Sequence, residues 1–563
     1  MVVRRPGKFI VLGLFVVVVI SLLHDSASSK PISPATLSAD GEVASRLTSP
    51  CPLLVEGEGE GEGEPAYTVV HPAVRALRHV LQLLAAALVI ASAAPGIKKH
   101  IGHRWITAAL AFCALGAVGS FAFSDRTAEG RFVNGWEFFH YYLGSKYAPE
   151  LGYTGLYDAA LVADVETGRH FSHERDAIRD LRTGGCIPVE EVLSERQAIK
   201  SRFSAARWTE FSSDIQYFKE RLPIERWNGL FRDKGYNPSP VWTMVAAPLA
   251  NLVSTSNPRG MVALALLDPI LLFIAFLAVW RTFGIRAALL MVILMGTHMT
   301  ASHSHMKGAF LRTDWLSALI LAVCAVKAKH PAVGGALVAY AAAVRVFPAF
   351  FAGGLVIAAA YRGPAQRDRL RFGVGLAVTF VLLLALSALA VAPGTWQGFV
   401  EKIWQHHDSF SPWRVGFKNI FLGTYEYLPN GNTHQEVYRQ RWLPWWVLQG
   451  LMLAGLALIV RRLENWETLA VGFVPVFFLV APTYYYYIML VIPLLFFCGR
   501  LPRPECVWGI AWLLGSSSIA YLVEDAVGRE LLLFYALSLI VFSLCVQMVF
   551  SASRVIQGPS GLP

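Results

Sequence analysis

Phe372-Gly-Val-Gly-Leu-Ala-Val-Thr-Phe-Val-Leu-Leu-Leu-Ala-Leu-Ser-Ala-Leu-Ala-Val-Ala392 runs without a charged side chain and, coiled as a helix, is long enough to cross the hydrocarbon of a bilayer. It does not stand alone. Further apolar runs fall near 9–23, 79–94, 106–123, 261–280, 287–299, 315–328, 443–460, 469–480, 484–497, 507–523 and 531–550. Across the 563 residues, 55% are hydrophobic and only 16% charged, with a mean hydropathy of +0.47. That composition excludes an ordinary soluble globule. It predicts an all-α polytopic membrane protein of about 12–14 transmembrane or re-entrant helices with a large first outer-face loop.

The formal charge of +10 sits in short clusters between apolar runs, the pattern that sets membrane orientation rather than one that grips nucleic acid. Arg4, Arg5 and Lys8 place the N-terminus inside. Lys98, Lys99 and Arg104 mark the next inner loop, followed by Arg281 with Arg286, Lys327 with Lys329, the Arg362 to Arg371 stretch, Arg461 with Arg462, and Arg500 with Arg503. One alternating path accommodates them all. It divides the chain into a signal anchor or cleaved signal peptide with an acidic Gly-Glu linker (1–77), a transmembrane pair (78–123), an outer-face loop (124–240), a core with short broken helices (241–392), a second outer-face loop (393–442) and C-terminal transmembrane helices (443–563). The expected location is the cell (inner) membrane, multi-pass, with the active site on the non-cytoplasmic face. The seven cysteines show no metal spacing, and only Cys51 and Cys186 fall on the outer side.

The outer loop opens on Trp136-Glu137-Phe138-Phe139-His140-Tyr141-Tyr142. A carboxylate among rings at an interface is poorly solvated, so its pKa rises into the range useful for proton transfer. Interfacial aromatic belts, however, also anchor helix ends without doing chemistry. Further on, 169–234 carries apolar positions at helical spacing (Ile199, Phe203, Ala206, Phe211) and reads as a small helical subdomain. The segment 241–253, with Pro248 inside it, is too short for an ordinary crossing. It reads as broken or re-entrant. The run 332–361 holds Arg345 and Pro348 near its middle, and a single crossing would put its flanking arginines on the wrong side. Two short helices meeting around Val344 to Pro348 resolve the conflict and leave Arg345 as an intramembrane cation, whose insertion cost favours a functional role, the alternatives being a snorkelling side chain or a structural ion pair.

Several separated motifs together resemble glycosyltransferase family 87, the polyprenol-phosphate-mannose-dependent mannosyltransferases of the GT-C superfamily. They are Glu137-Phe138-Phe139-His140-Tyr141-Tyr142 with Leu156-Tyr157, the Tyr236 to Pro240 segment with Pro248-Leu249, Ala341-Ala342-Ala343-Val344-Arg345-Val346-Phe347-Pro348, and Ala481-Pro482-Thr483-Tyr484 with Ile492-Pro493. Glu137 stands where the family has Asp, and Arg345 where it has Lys. The resemblance spans roughly 132–495 and implies a GT-C-like bundle that transfers a sugar, mannose or another hexose, from a polyprenyl-phosphate-linked donor to a glycan or glycolipid acceptor with inversion. It implies Glu137 as catalytic base and Arg345 as the cation facing the leaving phosphate. Lys307, His305, Lys418 and Arg414 are further candidates for the donor phosphate, and Tyr141, Tyr142, Tyr157, Tyr236 and Tyr484 for the sugar or acceptor cavity.

No cofactor is expected. The His303-x-His305 pair lacks a third ligand at fixed spacing, so no metal is assigned; it forms a dense polar group with Lys307, Arg312 and Asp314. His406, His407, Asp408 and Trp413 lie with Arg414 and Lys418 in the second outer loop. Expected partners are the lipid-linked donor, the acceptor and membrane lipids, with no nucleic acid. A lipid or solute transporter and a non-catalytic scaffold are the alternatives; internal repeats would favour a transporter, and none is visible.

Overall fold

The computed structural model describes residues 71–94, 102–124, 132–172, 176–300, 307–359, 365–408, 413–422, 432–528 and 531–554. The apolar run at 9–23 and the Gly-Glu linker lie outside them. The described chain is an all-α polytopic membrane protein. Among the described residues, seven helices are long and apolar enough to cross a membrane, and five apolar helices are shorter. All but the last two residues of the opening stretch lie in the helix Gln366–Ala390.

In chain order the elements used below are α1 (Pro72–Ala93), α2 (His103–Ser124), α3 (Gly135–Phe138), α4 (Leu156–Glu166), β1 (Ala177–Arg179), β2 (Cys186–Pro188), α5 (Ala205–Lys219) and α6 (Pro240–Leu252). They continue as α7 (Leu267–Phe283), α8 (Ile285–Thr297), α9 (Asp314–Lys327), α10 (Pro331–Arg345), α11 (Ala349–Ala359), α12 (Gln366–Ala390) and α13 (Thr395–Asp408). The last three are α14 (Asn432–Val460), α15 (Pro504–Val527) and α16 (Leu531–Arg554).

Local chemistry sets the boundaries that matter for the site. Asn134 caps α3 by accepting the Glu137 N–H at 3.1 Å. Ser239 does the same for α6 at Trp242, with Pro240 in the first turn where its missing N–H costs nothing. α10 stops at Arg345 because Val346 takes a left-handed backbone (φ 56°), which no helix continues. α11 restarts beyond Pro348. The run 332–361 is therefore two short helices. They are held by close packing: a Cβ on Gly335 of α10 would lie 2.0 Å from the Phe372 carbonyl oxygen of α12, and one on Gly375 would lie 2.1 Å from that of Ala332. Glycine at both faces lets the backbones meet, the usual way helices gain contact in lipid.

The 169–234 segment is mostly helical, with Ile199, Phe203 and Phe211 buried. Two details differ from the sequence reading. Trp208, not Ala206, completes the buried stripe, and β1 pairs antiparallel with β2, a hairpin too short for periodicity to reveal. A buried Asp214 fastens α5 to the membrane-proximal chain, accepting from Lys146 Nζ and Tyr147 Oη at 2.7 Å each and from Thr255 Oγ1 at 2.6 Å. Within the helical bundle, Gln82 of α1 donates to the Thr297 carbonyl and to Ser517 Oγ at 2.8 and 2.9 Å, tying α1, α8 and α15 by buried polar contacts.

Candidate functional site

The short helix α3 passes into a π-helical turn, Phe139–Leu143, and both are buried. Such bulges re-aim side chains and cluster at functional sites. Here Glu137 and Tyr141 come to share one neighbour, Arg312. Glu137 Oε2 lies 2.7 Å from Arg312 Nε, close enough for strong attraction but not aligned as a hydrogen bond, so each atom keeps a free direction. Arg312 Nη1 donates to Tyr141 Oη, and its guanidinium stands 4.3 Å from the Tyr141 ring centroid and 5.8 Å from that of Tyr485.

Arg312 is held from behind. Asp268, at the start of α7, accepts the Arg312 N–H at 2.7 Å and both the N–H and hydroxyl of Thr313 at 2.9 Å. Trp242 Nε1 donates to the Leu311 carbonyl at 2.9 Å, fixing a buried leucine whose φ of 50° is strained for any L side chain. Arg345 approaches the same tyrosine, 5.6 Å from its centroid, and it too adjoins a strained residue, Val346. Non-glycine residues in this region persist where surrounding packing overrules local preference, and they concentrate at functional sites.

Several polar atoms in this cluster are unspent. Arg345 Nε and Nη2 are buried with no hydrogen-bond partner among the described residues, and so is Asp314 Oδ1, whose second oxygen accepts from Tyr340 Oη at 2.7 Å. Leaving the two Arg345 donors unmet in a buried site costs about 1–3 kcal/mol each, more when charged, which favours a ligand that brings acceptors to Arg345, while Asp314 Oδ1 would take a donor. Burial pushes Glu137 up to about 7; the Arg312 charge opposes the rise, Asp233 adds to it, Arg345 opposes it and Asp268 adds to it. The result is a carboxylate that exchanges a proton near neutrality.

Beside it, His140 donates from Nδ1 to the Trp136 carbonyl at 2.9 Å, since a carbonyl only accepts, and Nε2 receives the Tyr157 hydroxyl at 2.9 Å. Burial holds this imidazole below its usual pKa and so neutral. Tyr157 in turn accepts the Gly235 N–H at 3.0 Å.

The structure therefore brings together Glu137, Tyr141 and Arg345 from the sequence-derived set. Tyr236 stands in the adjoining wall, its hydroxyl on Thr243 at 2.6 Å and its ring 6.4 Å from that of Trp242. Tyr157 supports His140. Tyr142 points elsewhere, donating to the Val253 carbonyl at 2.6 Å. Tyr484 packs on Phe534, with ring centroids 5.2 Å apart, while Tyr485 faces Arg312 and Tyr486 packs on Phe347 at 5.2 Å. Lys307 lies 5.5 Å from the Phe121 ring, and its carbonyl receives Asn134 Nδ2 at 3.3 Å. Arg414 bridges to Thr483 by backbone pairing, and Lys418 lies half-buried in the short helix Phe417–Leu422. His303 and His305 fall outside the described residues, as do the side chains of His406, His407 and Asp408. Among the described residues, no three His, Cys, Asp or Glu side chains gather as a metal site.

Arg312 and Asp268 are the additions. Arg312 was visible in sequence only as part of a polar group. Asp268 had a clearer signal, a lone carboxylate inside the apolar run 261–280. No family model, curated protein or solved structure matches this chain. Function therefore has to be read from the site itself.

Proposed function

We propose that this membrane protein is a glycosyltransferase that moves a sugar, mannose or another hexose, from a polyprenyl-phosphate donor to a hydroxyl of a glycan or glycolipid acceptor. The observation that carries the reading is the pairing of a near-neutral carboxylate, Glu137, with a buried Arg312 and a half-buried Arg345 whose Nε and Nη2 are themselves buried and have donors to spare. Acid–base transfer with a phosphate leaving group needs those two functions and little else.

In this reading the acceptor hydroxyl loses its proton to Glu137 as its oxygen bonds to the anomeric carbon. The bond from that carbon to the phosphate oxygen breaks on the opposite face, inverting the centre and releasing polyprenyl phosphate. Arg345 meets the departing phosphate with Nε and Nη2, a planar fork suited to two phosphate oxygens. Arg312 neutralises Glu137 in the resting site, and as the carboxylate takes up the proton its charge becomes available to the phosphate. Tyr141, Tyr485 and Trp242 offer aromatic faces against which a pyranose can stack.

Two further observations support the reading. The ordered motifs from Glu137 to Pro493 resemble glycosyltransferase family 87 of the GT-C superfamily. Cys186 is disulfide-bonded, its partner lying outside the described residues, and disulfides belong to oxidising compartments. That suits an active site on the non-cytoplasmic face of the cell membrane, where lipid-linked rather than nucleotide-linked sugars are the donors. The test is comparison of glycolipids and glycans from cells with and without the gene, complemented by wild type or by Glu137→Gln. A sugar-bearing product that returns with wild type and not with E137Q supports the proposal; equal return with both contradicts it.

A further inference from the structure

Asp314 is a buried carboxylate that takes no part in the mechanism above. It opens α9, is 3% exposed, and has only one oxygen engaged. Oδ2 accepts from Tyr340 Oη of α10 at 2.7 Å, whereas Oδ1 is buried with no hydrogen-bond partner among the described residues. One turn further on the same face of α9, Ser317 Oγ is buried and unpartnered in the same sense. A bare charged acceptor in a buried place is costly, so this one calls for a ligand that donates.

Contacts on either side of Asp314 set it against Arg345. Tyr340, which holds Oδ2, precedes Arg345 on α10. Phe347 follows Arg345, and its ring packs on that of Trp315, the residue after Asp314, with centroids 5.1 Å apart. Tyr486 closes this aromatic wall, 5.9 Å from Trp315 and 5.2 Å from Phe347. On the other flank, Arg312 and Arg345 share the Tyr141 ring at 4.3 and 5.6 Å. The start of α9 and the end of α10 therefore meet around the guanidinium. Yet cation and anion do not satisfy each other, since Arg345 Nε and Nη2 and Asp314 Oδ1 all lack a hydrogen bond among the described residues. The arrangement fits a ligand that presents acceptors to the arginine and, next to them, a hydroxyl to the carboxylate.

We propose that Asp314 Oδ1 accepts the 2-hydroxyl of the donor hexose and is a specificity-determining residue for the sugar. The phosphate that Arg345 meets is borne by the anomeric carbon. One ring neighbour of that carbon is the ring oxygen, which has no proton to give; the other is carbon 2, so its hydroxyl is the sugar's donor nearest the phosphate. Mannose and glucose differ at that carbon alone. A carboxylate fixed by Tyr340 takes the hydroxyl in one orientation, and a site built to bond a hydroxyl rejects the analogue that lacks it. The inference rests on the transferase reading for its donor, and binding is therefore measured apart from transfer.

The probes are short-chain polyprenyl phosphates of mannose, glucose and galactose and of their 2-deoxy forms, mannose and glucose sharing one. Binding to the full-length protein in phosphatidylcholine nanodiscs, with no acceptor, is read as the donor concentration that raises the unfolding midpoint. Transfer is read as kcat/KM with glycolipid and glycan extract from cells lacking the gene. Wild type and E137Q are expected to bind one hexose about 10- to 100-fold more tightly than its 2-deoxy form. Asp314→Asn keeps the Tyr340 contact through its amide oxygen but turns an NH2 to the sugar, and is expected to lose that preference; should D314N lack an unfolding transition, D314A is held to the same expectation. Tyr340→Phe removes the anchor alone and is expected to keep it. The proposal is overturned by a wild type that binds every hexose and its 2-deoxy form alike, by a preference that survives in D314N, or by Y340F losing it as fully as D314N, which would make Asp314 an anchor of α10 only. A 2-hydroxyl preference in binding without transfer by wild type sinks the transferase reading and leaves the sugar contact; transfer without that preference does the reverse.

Discussion

At the scale of single residues, the proposed transfer turns on the protonation of Glu137. A base held at about 7 is ionised above that pH and inert below it, so the rate is expected to fall about tenfold per pH unit below 7 and to level off above it. A pH–rate profile with its midpoint near 4.5, the ordinary carboxylate value, would contradict the burial argument. Arg345 offers a second test. Changing it to Gln removes the cation proposed to meet the leaving phosphate and is expected to cost about 100- to 1000-fold in turnover, whereas Arg345→Lys, which keeps the charge but not the fork, is expected to recover part of it; turnover assays on both variants check this.

In the proposed mechanism Asp268 is a positioning residue, holding the Arg312 backbone rather than meeting the substrate. Asp268→Asn weakens its grip on the Arg312 and Thr313 N–H groups and also removes a negative charge that raises the Glu137 pKa, so the expected signature is a lower rate with the pH–rate midpoint moved down. A lower rate with an unmoved or raised midpoint would argue against Asp268 acting on the Glu137–Arg312 pair. Glu137 and Arg345 were legible in sequence because charge in an apolar setting is conspicuous. Arg312 was not singled out, because its partnership with Glu137 joins residues 175 positions apart and no periodicity links them.

At the scale of elements, the break between α10 and α11 sets where Arg345 can reach. Charge topology and Pro348 made that break readable, but not the left-handed backbone at Val346 that produces it. Glycine adopts such a φ without penalty, so Val346→Gly is expected to preserve the site and to stabilise the protein or leave its stability unchanged, as read by thermal unfolding. Gly335→Leu is the opposite case. Its side chain would collide with the α12 backbone at the Phe372 carbonyl, and overpacking of this kind costs about 1–3 kcal/mol, read as a lower unfolding midpoint. The run of tyrosines shows the limit of pattern reading. Tyr484 was the candidate for the cavity, yet the chain there forms a 3-10 helix, Tyr484–Leu490, whose turn aims Tyr485 at Arg312 and Tyr484 at Phe534. Assigning one ring of four requires the backbone twist, which composition does not carry.

At the scale of the whole molecule, hydropathy sufficed for the class, since lipid permits few structures beyond helices with their backbone groups satisfied internally. What it did not supply was the convergence of segments distant in sequence. α3 and its π turn, the loop before α9, the end of α10 and the 3-10 turn at Tyr484 all deliver side chains around Tyr141. That convergence is the basis for reading one catalytic centre rather than several scattered interfacial anchors. The most direct measurement is sugar transfer from a radiolabelled polyprenyl-phosphate mannose or other hexose donor by purified protein in proteoliposomes, supplied with lipid and glycan extract from cells lacking the gene, for wild type and Glu137→Gln. The account predicts transfer by wild type with release of polyprenyl phosphate, and a loss of about 100- to 10,000-fold in a folded E137Q protein. Undiminished transfer by E137Q, or none by wild type with every hexose donor, would contradict it.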